Sequence, residues 1–168
     1  MTTNDLQNGD ILICKSDRFI SNLIKKFTRS DFNHVALYFE VWGKPGILEA
    51  QTDGINWKPL KYWVEKYGYK FIVYRPLANN KHQAKLIAQK AFTKCGATGY
   101  DFESFLIRQP LNLVHGIWNS KQDEGKRMIC SEFVAWVYDL KDWEKATPKD
   151  VKKQLDRLPF YKKLDYFD

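Results

Sequence analysis

The chain has little of the two residue types from which small proteins build covalent or metal cross-links: three cysteines and three histidines in 168 residues. An odd, small number of thiols argues against a disulfide framework and for a reducing compartment. No two of these residues stand at the short spacings of a zinc module, so no metal site is expected. No phosphate-cradling glycine loop follows a strand-like run, and no cofactor is implied. Internal repeats and low-complexity segments are absent. No stretch approaches the roughly 20 apolar residues that span a bilayer. The opening run from Met1 to Asp10 has neither the basic start nor the apolar stretch of a signal peptide. These absences predict a soluble, cytoplasmic protein.

What is present is core-forming material. Hydrophobic residues make up 44% and aromatics 15%, which suits a globular interior and excludes a disordered chain. The length fits one domain spanning 1–168. Lys and Arg number 27 against 20 for Asp and Glu, a net charge of +7. Because the excess is dispersed, it favours anionic surroundings without specifying nucleic acid, and an anionic membrane surface is a candidate partner. A merely solvated surface explains the same excess. Oligomeric state leaves no mark.

The periodicities predict an α+β fold. Ile11-Leu12-Ile13-Cys14 is a short apolar run of buried-strand type, and Phe19, Ile20, Leu23, Ile24 and Phe27 recur at helical spacing over 17–28. From His34 to Val41 the pattern alternates, with Val35, Leu37, Phe39 and Val41 as the apolar face of a strand. Gly43-Lys44-Pro45-Gly46 reads as the turn of a hairpin, returning through Ile47 to Gln51. Thr52-Asp53-Gly54 turns again, a short helix begins near Pro59, and Lys70 to Arg75 is a further strand. Residues 81–95 form a helix stopped at Gly96, and a last helix starts at Thr147-Pro148. The apolar connection over 102–127 reads either as a substrate gate or as an irregularly packed helix pair.

Cys130 heads an apolar strip, Cys130, Phe133, Val134, Val137, at helical spacing. A thiol at a helix N-terminus is placed to be stabilised as thiolate by unpaired amides and the helix dipole. A strand histidine such as His34 could take its proton, and Glu49, on the neighbouring hairpin strand, could hold the opposite ring nitrogen. Each residue alone also has a structural reading: Cys130 as a packing thiol, His34 as a hydrogen-bonded core residue, Glu49 as a surface strand residue. Cys14 and Cys95 are expected only to pack, and His82 and His115 have no evident thiol partner.

Together, Gly9-Asp10-Ile11-Leu12, Asn33-His34-Val35-Ala36-Leu37-Tyr38, Leu48-Glu49-Ala50, Gly54-Ile55, Pro59-Leu60, Tyr100-Asp101-Phe102 and Cys130-Ser131-Glu132-Phe133-Val134 resemble the circularly permuted NlpC-type papain-like cysteine hydrolases, including YiiX-like proteins. The resemblance runs to about Asp139. The order histidine, carboxylate, cysteine is that of the permuted enzymes and of the related lecithin:retinol acyltransferase group. It implies a small antiparallel, barrel-like sheet packed against the cysteine helix, with Cys130 as nucleophile, His34 as base and Glu49 as the residue orienting the histidine. Tyr100 matches a recurrent tyrosine and becomes a candidate substrate-lining residue. Two departures are Ile129, where the family often has an aromatic residue, and the long 102–127 segment.

The implied activity is hydrolysis of an amide bond in a peptide or peptidoglycan-related substrate through a thioester acyl-enzyme. Cleavage or transfer of a lipid acyl group by the same site is the alternative within the enzyme class. A non-catalytic module binding an anionic polymer is the alternative outside it.

Overall fold

The computed structural model describes residues 3–15, 32–51, 53–67, 71–77, 81–96 and 128–167. The expected helix over 17–28, the 102–127 connection, Tyr100 and His115 lie outside them. Six strands build one antiparallel sheet: β1 (Ile11–Cys14), β2 (His34–Val41), β3 (Lys44–Gln51), β4 (Gly54–Pro59), β5 (Phe71–Pro76) and β6 (Tyr161–Phe167), in the order β4-β3-β2-β1-β5-β6. Helices α1 (Leu60–Tyr67), α2 (Lys81–Phe92), α3 (Cys130–Val137) and α4 (Pro148–Arg157), with short 3-10 turns at Thr3–Asp5 and Trp143–Lys145, complete the described elements. None of these helices is long and apolar enough to cross a membrane.

The sheet is covered on both faces. Ile11, Ile13, Val35, Leu37, Phe39, Leu48 and Ala50 form one core with Phe133, Val134 and Val137 of α3, Ala91 of α2 and Val151 and Leu155 of α4. Leu12, Cys14, Ala36, Tyr38, Ile47, Phe71 and Val73 point the other way and cluster with Leu60, Trp63 and Val64 of α1. The alternation in β2 therefore does not mark a strand with one greasy face. Ala36 and Tyr38 are buried, as Val35 and Leu37 are, because α1 covers the side that the sequence pattern leaves to polar groups.

The β2–β3 turn is tighter than expected. Val41 pairs with Lys44 and Phe39 with Gly46, so Lys44, Pro45 and Gly46 already belong to β3. The two turn residues are Trp42 and Gly43, with φ of 51° and 71°, the positive values that a two-residue hairpin of matching twist requires. Gly46 is needed for another reason: a Cβ there would lie 2.2 Å from the ring of Trp57. That indole donates to the Phe39 carbonyl at 3.0 Å, fastening β4 across β3 to β2.

Two strands escape the sequence reading, β4 and β6. Both are edge strands with one paired neighbour, and edge strands need no continuous apolar run. The helix signals fare better. Gly96, at φ 71°, follows α2 and donates its N–H to the Ile55 carbonyl at 2.9 Å. At the head of α4, Thr147 Oγ1 accepts from the Asp150 N–H at 3.2 Å while Asp150 accepts from the Thr147 N–H at 3.1 Å, a reciprocal cap.

Candidate active site

Cys130 is the first residue of α3, with Phe133, Val134 and Val137 turned into the core below it. The Glu132 carboxylate accepts from the Ile129 N–H at 3.1 Å, and the Ser131 hydroxyl donates to the Ala146 carbonyl at 2.5 Å. Both contacts fix the entry of the helix and therefore the direction of the thiol. Cys130 itself is 6% exposed.

His34 is the first residue of β2. The end of a strand is where groups from the two layers can meet, and here Cys130 hydrogen-bonds the imidazole from the α3 side. From the other side the ring Nε2 pairs with Glu49 Oε2 at 2.6 Å. With Nε2 so engaged, Nδ1 is the nitrogen left to the sulfur. The β2–β3 register, continued from Leu37 opposite Leu48, sets Ala36 across from Glu49. His34 and Glu49 thus share a face as diagonal neighbours, within reach of long side chains.

Glu49 is fully buried, and a carboxylate there must be well supplied with donors. Trp63 Nε1 donates to Oε2 at 2.8 Å, and the Gln51 amide nitrogen donates to Oε1. Gln51 Oε1 in turn accepts from Lys66 Nζ at 2.6 Å and Lys58 Nζ at 3.4 Å. Burial pulls the His34 pKa down, but the negative sulfur of Cys130, its hydrogen bond, and the Glu49 carboxylate outweigh it and raise the ring from 6.5 to about 10. The imidazole thus stands between the Cys130 sulfur and the Glu49 carboxylate, the arrangement in which a proton can pass between sulfur and ring.

The structure thus gathers Cys130, His34 and Glu49 at one place. Cys95 is half-buried after α2 and His82 is exposed on that helix. Cys14 is a closer neighbour, directly opposite His34 in the β1–β2 ladder. Asp10, part of the Gly9-Asp10 signature, sits at the far end of β1 from His34. There its buried carboxylate accepts from Arg75 Nε and Nη2 at 2.8 and 2.7 Å and from the Gln7 N–H at 2.8 Å, a structural clamp. Sequence reasoning assigned no role to Trp63, Gln51 or Lys66. Gln51 carried a signal, two residues beyond Glu49 and so on the same strand face; Trp63 and Lys66 arrive by the docking of α1. Among the described residues no three His, Cys, Asp or Glu are grouped to hold a metal ion.

Residues 5–156 match the family described as permuted papain-like amidase enzyme, YaeF/YiiX, C92 family. This extends past Asp139 through all of the helix α4 but its last residue. Among solved structures, the chain is similar to one titled metalloprotein yiiX from Escherichia coli O157:H7, with a TM-score of 0.64 and 22% identity over 95% of this chain and 97% of that one. At that identity the likeness speaks for the fold. No curated protein sequence matches the chain.

Proposed function

This chain belongs to the permuted papain-like amidase family of YaeF and YiiX and is a cysteine hydrolase; on that premise we propose that Cys130, His34 and Glu49 carry the reaction, on an amide bond of a peptide or peptidoglycan-related substrate. The observation that carries this reading is the imidazole of His34, bonded on one side to Glu49 at 2.6 Å and on the other to Cys130.

In the proposed sequence the Cys130 sulfur, its proton held by His34, attacks the amide carbonyl. The carbonyl oxygen of the tetrahedral adduct takes the negative charge. First-turn N–H groups of α3, which have no intrahelical acceptor, are the natural donors to it. Collapse expels the amine as the His34 imidazolium protonates it, leaving a thioester on Cys130. The neutral imidazole then removes a proton from water, which attacks the thioester; the acid leaves and the thiol–imidazole pair is restored. Glu49 keeps the ring oriented throughout and stabilises its cationic form.

Mass measurement of an acyl group trapped on Cys130 tests both the nucleophile and the substrate class. A peptidyl adduct supports the reading; a fatty-acyl adduct would move the substrate to lipids with the same residues. In parallel, at pH near 6.5, iodoacetamide should modify Cys130 much faster than Cys14 or Cys95, and His34→Ala should abolish the difference. Equal slow modification of all three would remove Cys130 as nucleophile.

A further inference from the structure

We propose that Lys66 and Gln51 form a positioning relay that aims the Glu49 carboxylate at His34, an inference that rests on the catalytic reading of Cys130, His34 and Glu49. Gln51 closes β3 two residues beyond Glu49, so both project to the α1 side of the sheet. Its amide is engaged at both ends, with the nitrogen donating to Glu49 Oε1 and the oxygen accepting from Lys66 Nζ at 2.6 Å. An ammonium has only donors and an ionised carboxylate only acceptors. A flipped amide would set NH2 against NH3⁺ and oxygen against oxygen, so Lys66 dictates which end of Gln51 faces Glu49.

The same helix supplies the second constraint. Trp63 and Lys66 are three residues apart on α1 and so share a helix face. Trp63 fixes Glu49 Oε2 at 2.8 Å while Lys66, through Gln51, fixes Oε1. With both oxygens held, a flexible side chain is left one orientation, and that orientation puts Oε2 2.6 Å from His34 Nε2. The contacts form one row from the Lys66 ammonium through Gln51 to the Glu49 carboxylate, the His34 ring and the Cys130 sulfur. Lys58, at 3.4 Å from Gln51 Oε1 and 3.2 Å from Asp53, is the weaker second cation on the same amide oxygen.

The test is the pH–rate profile of Cys130 alkylation by iodoacetamide in the full chain, with thermal midpoints recorded alongside. Gln51→Glu keeps the shape of the side chain but replaces a donor by an acceptor against Glu49. The relay predicts a rate at pH 6.5 lower by on the order of tenfold and a displaced profile. Lys66→Met should act in the same direction, and Lys66→Arg, which retains a cationic donor, should restore the wild-type profile. Lys66→Met keeps the question open to experiment if Gln51→Glu fails to fold. Wild-type profiles in both Gln51→Glu and Lys66→Met, with Cys130 still the fast thiol, would overturn the relay and leave the catalytic reading standing. A wild-type protein whose Cys130 reacts no faster than Cys14 would overturn both.

Discussion

Cys14 stands directly opposite His34 across the β1–β2 ladder, so the imidazole has a second thiol close by, and the environment decides between the two. Burial first, and then the negative charges of Glu49 and Cys130, push the Cys14 thiol well above its usual range. It is a neutral packing group, clustered with Leu12, Ala36, Trp63 and Phe71. Cys14→Ala should therefore leave the fast alkylation at Cys130 in place while lowering unfolding stability by about 1 kcal/mol, the scale of one small buried apolar group. Denaturant titration and site-resolved mass spectrometry read the two effects; loss of the fast phase in Cys14→Ala would move the reactive thiol from Cys130 on α3 to Cys14 on β1.

Glu49→Gln is the sharpest single change at the site. The amide keeps the shape but not the charge, and one of its ends is NH2: at the Oε2 position, which His34 Nε2 and the Trp63 N–H share, it cannot accept from Trp63, and at the Oε1 position it opposes the NH2 of Gln51. The ring loses both its anionic partner and its fixed tautomer. Turnover should fall by roughly 10⁴, the scale seen when the carboxylate of a nucleophile–histidine–carboxylate triad is converted to its amide. Steady-state kinetics on the substrate class identified by acyl trapping would measure it, and a loss under threefold would reduce Glu49 to a packing role.

The parts of this site legible in the sequence are those with local signals. Cys130 announced itself by the i, i+3, i+4, i+7 strip below it, and Glu49 by a hairpin whose register could place it beside His34. What stayed hidden depends on contacts between elements distant in sequence. Ala36 and Tyr38 became buried because α1 covers them, and the polar half of an alternating pattern does not say whether a helix or water lies over it. Trp63 read as one apolar residue of a short helix, since nothing local reveals that its indole nitrogen meets a buried carboxylate. β6, with Lys162, Lys163 and Asp165 among its residues, lacks the apolar alternation of a core strand; among the described strands it is an edge strand, paired only with β5.

Gly46→Ala tests the fold beside the site. The added methyl would lie 2.2 Å from the Trp57 ring, so the indole must tilt and lose its bond to the Phe39 carbonyl. The expected cost is about 1–3 kcal/mol, the range of overpacking in a closely packed region, read from the urea midpoint. Gly43→Ala provides a contrast, because nothing lies near the Cβ that it adds and only the left-handed φ of 71° is strained. Pairing Gly46→Ala with Trp57→Ala should relieve the clash. An unchanged midpoint in Gly46→Ala alone would show that Trp57 does not lie over β3.

The last prediction concerns the proton on His34. An isolated histidine would lose it near pH 6.5, whereas here the ring holds it up to about 10, because the Cys130 sulfur and the Glu49 carboxylate outweigh burial. If that proton protonates the leaving amine, activity is lost as the ring deprotonates, so the alkaline limb of kcat/KM should fall near pH 10 with no break at 6.5. Among the influences that raise the ring, the charge of Cys130 is the largest. Cys130→Ala should therefore move the His34 titration, followed by ring NMR, to lower pH. Glu49→Gln should move it the same way by a smaller step. A His34 ring that titrates near 6.5 in the wild type, or that is indifferent to loss of Cys130, would mean that sulfur and imidazole do not share a proton.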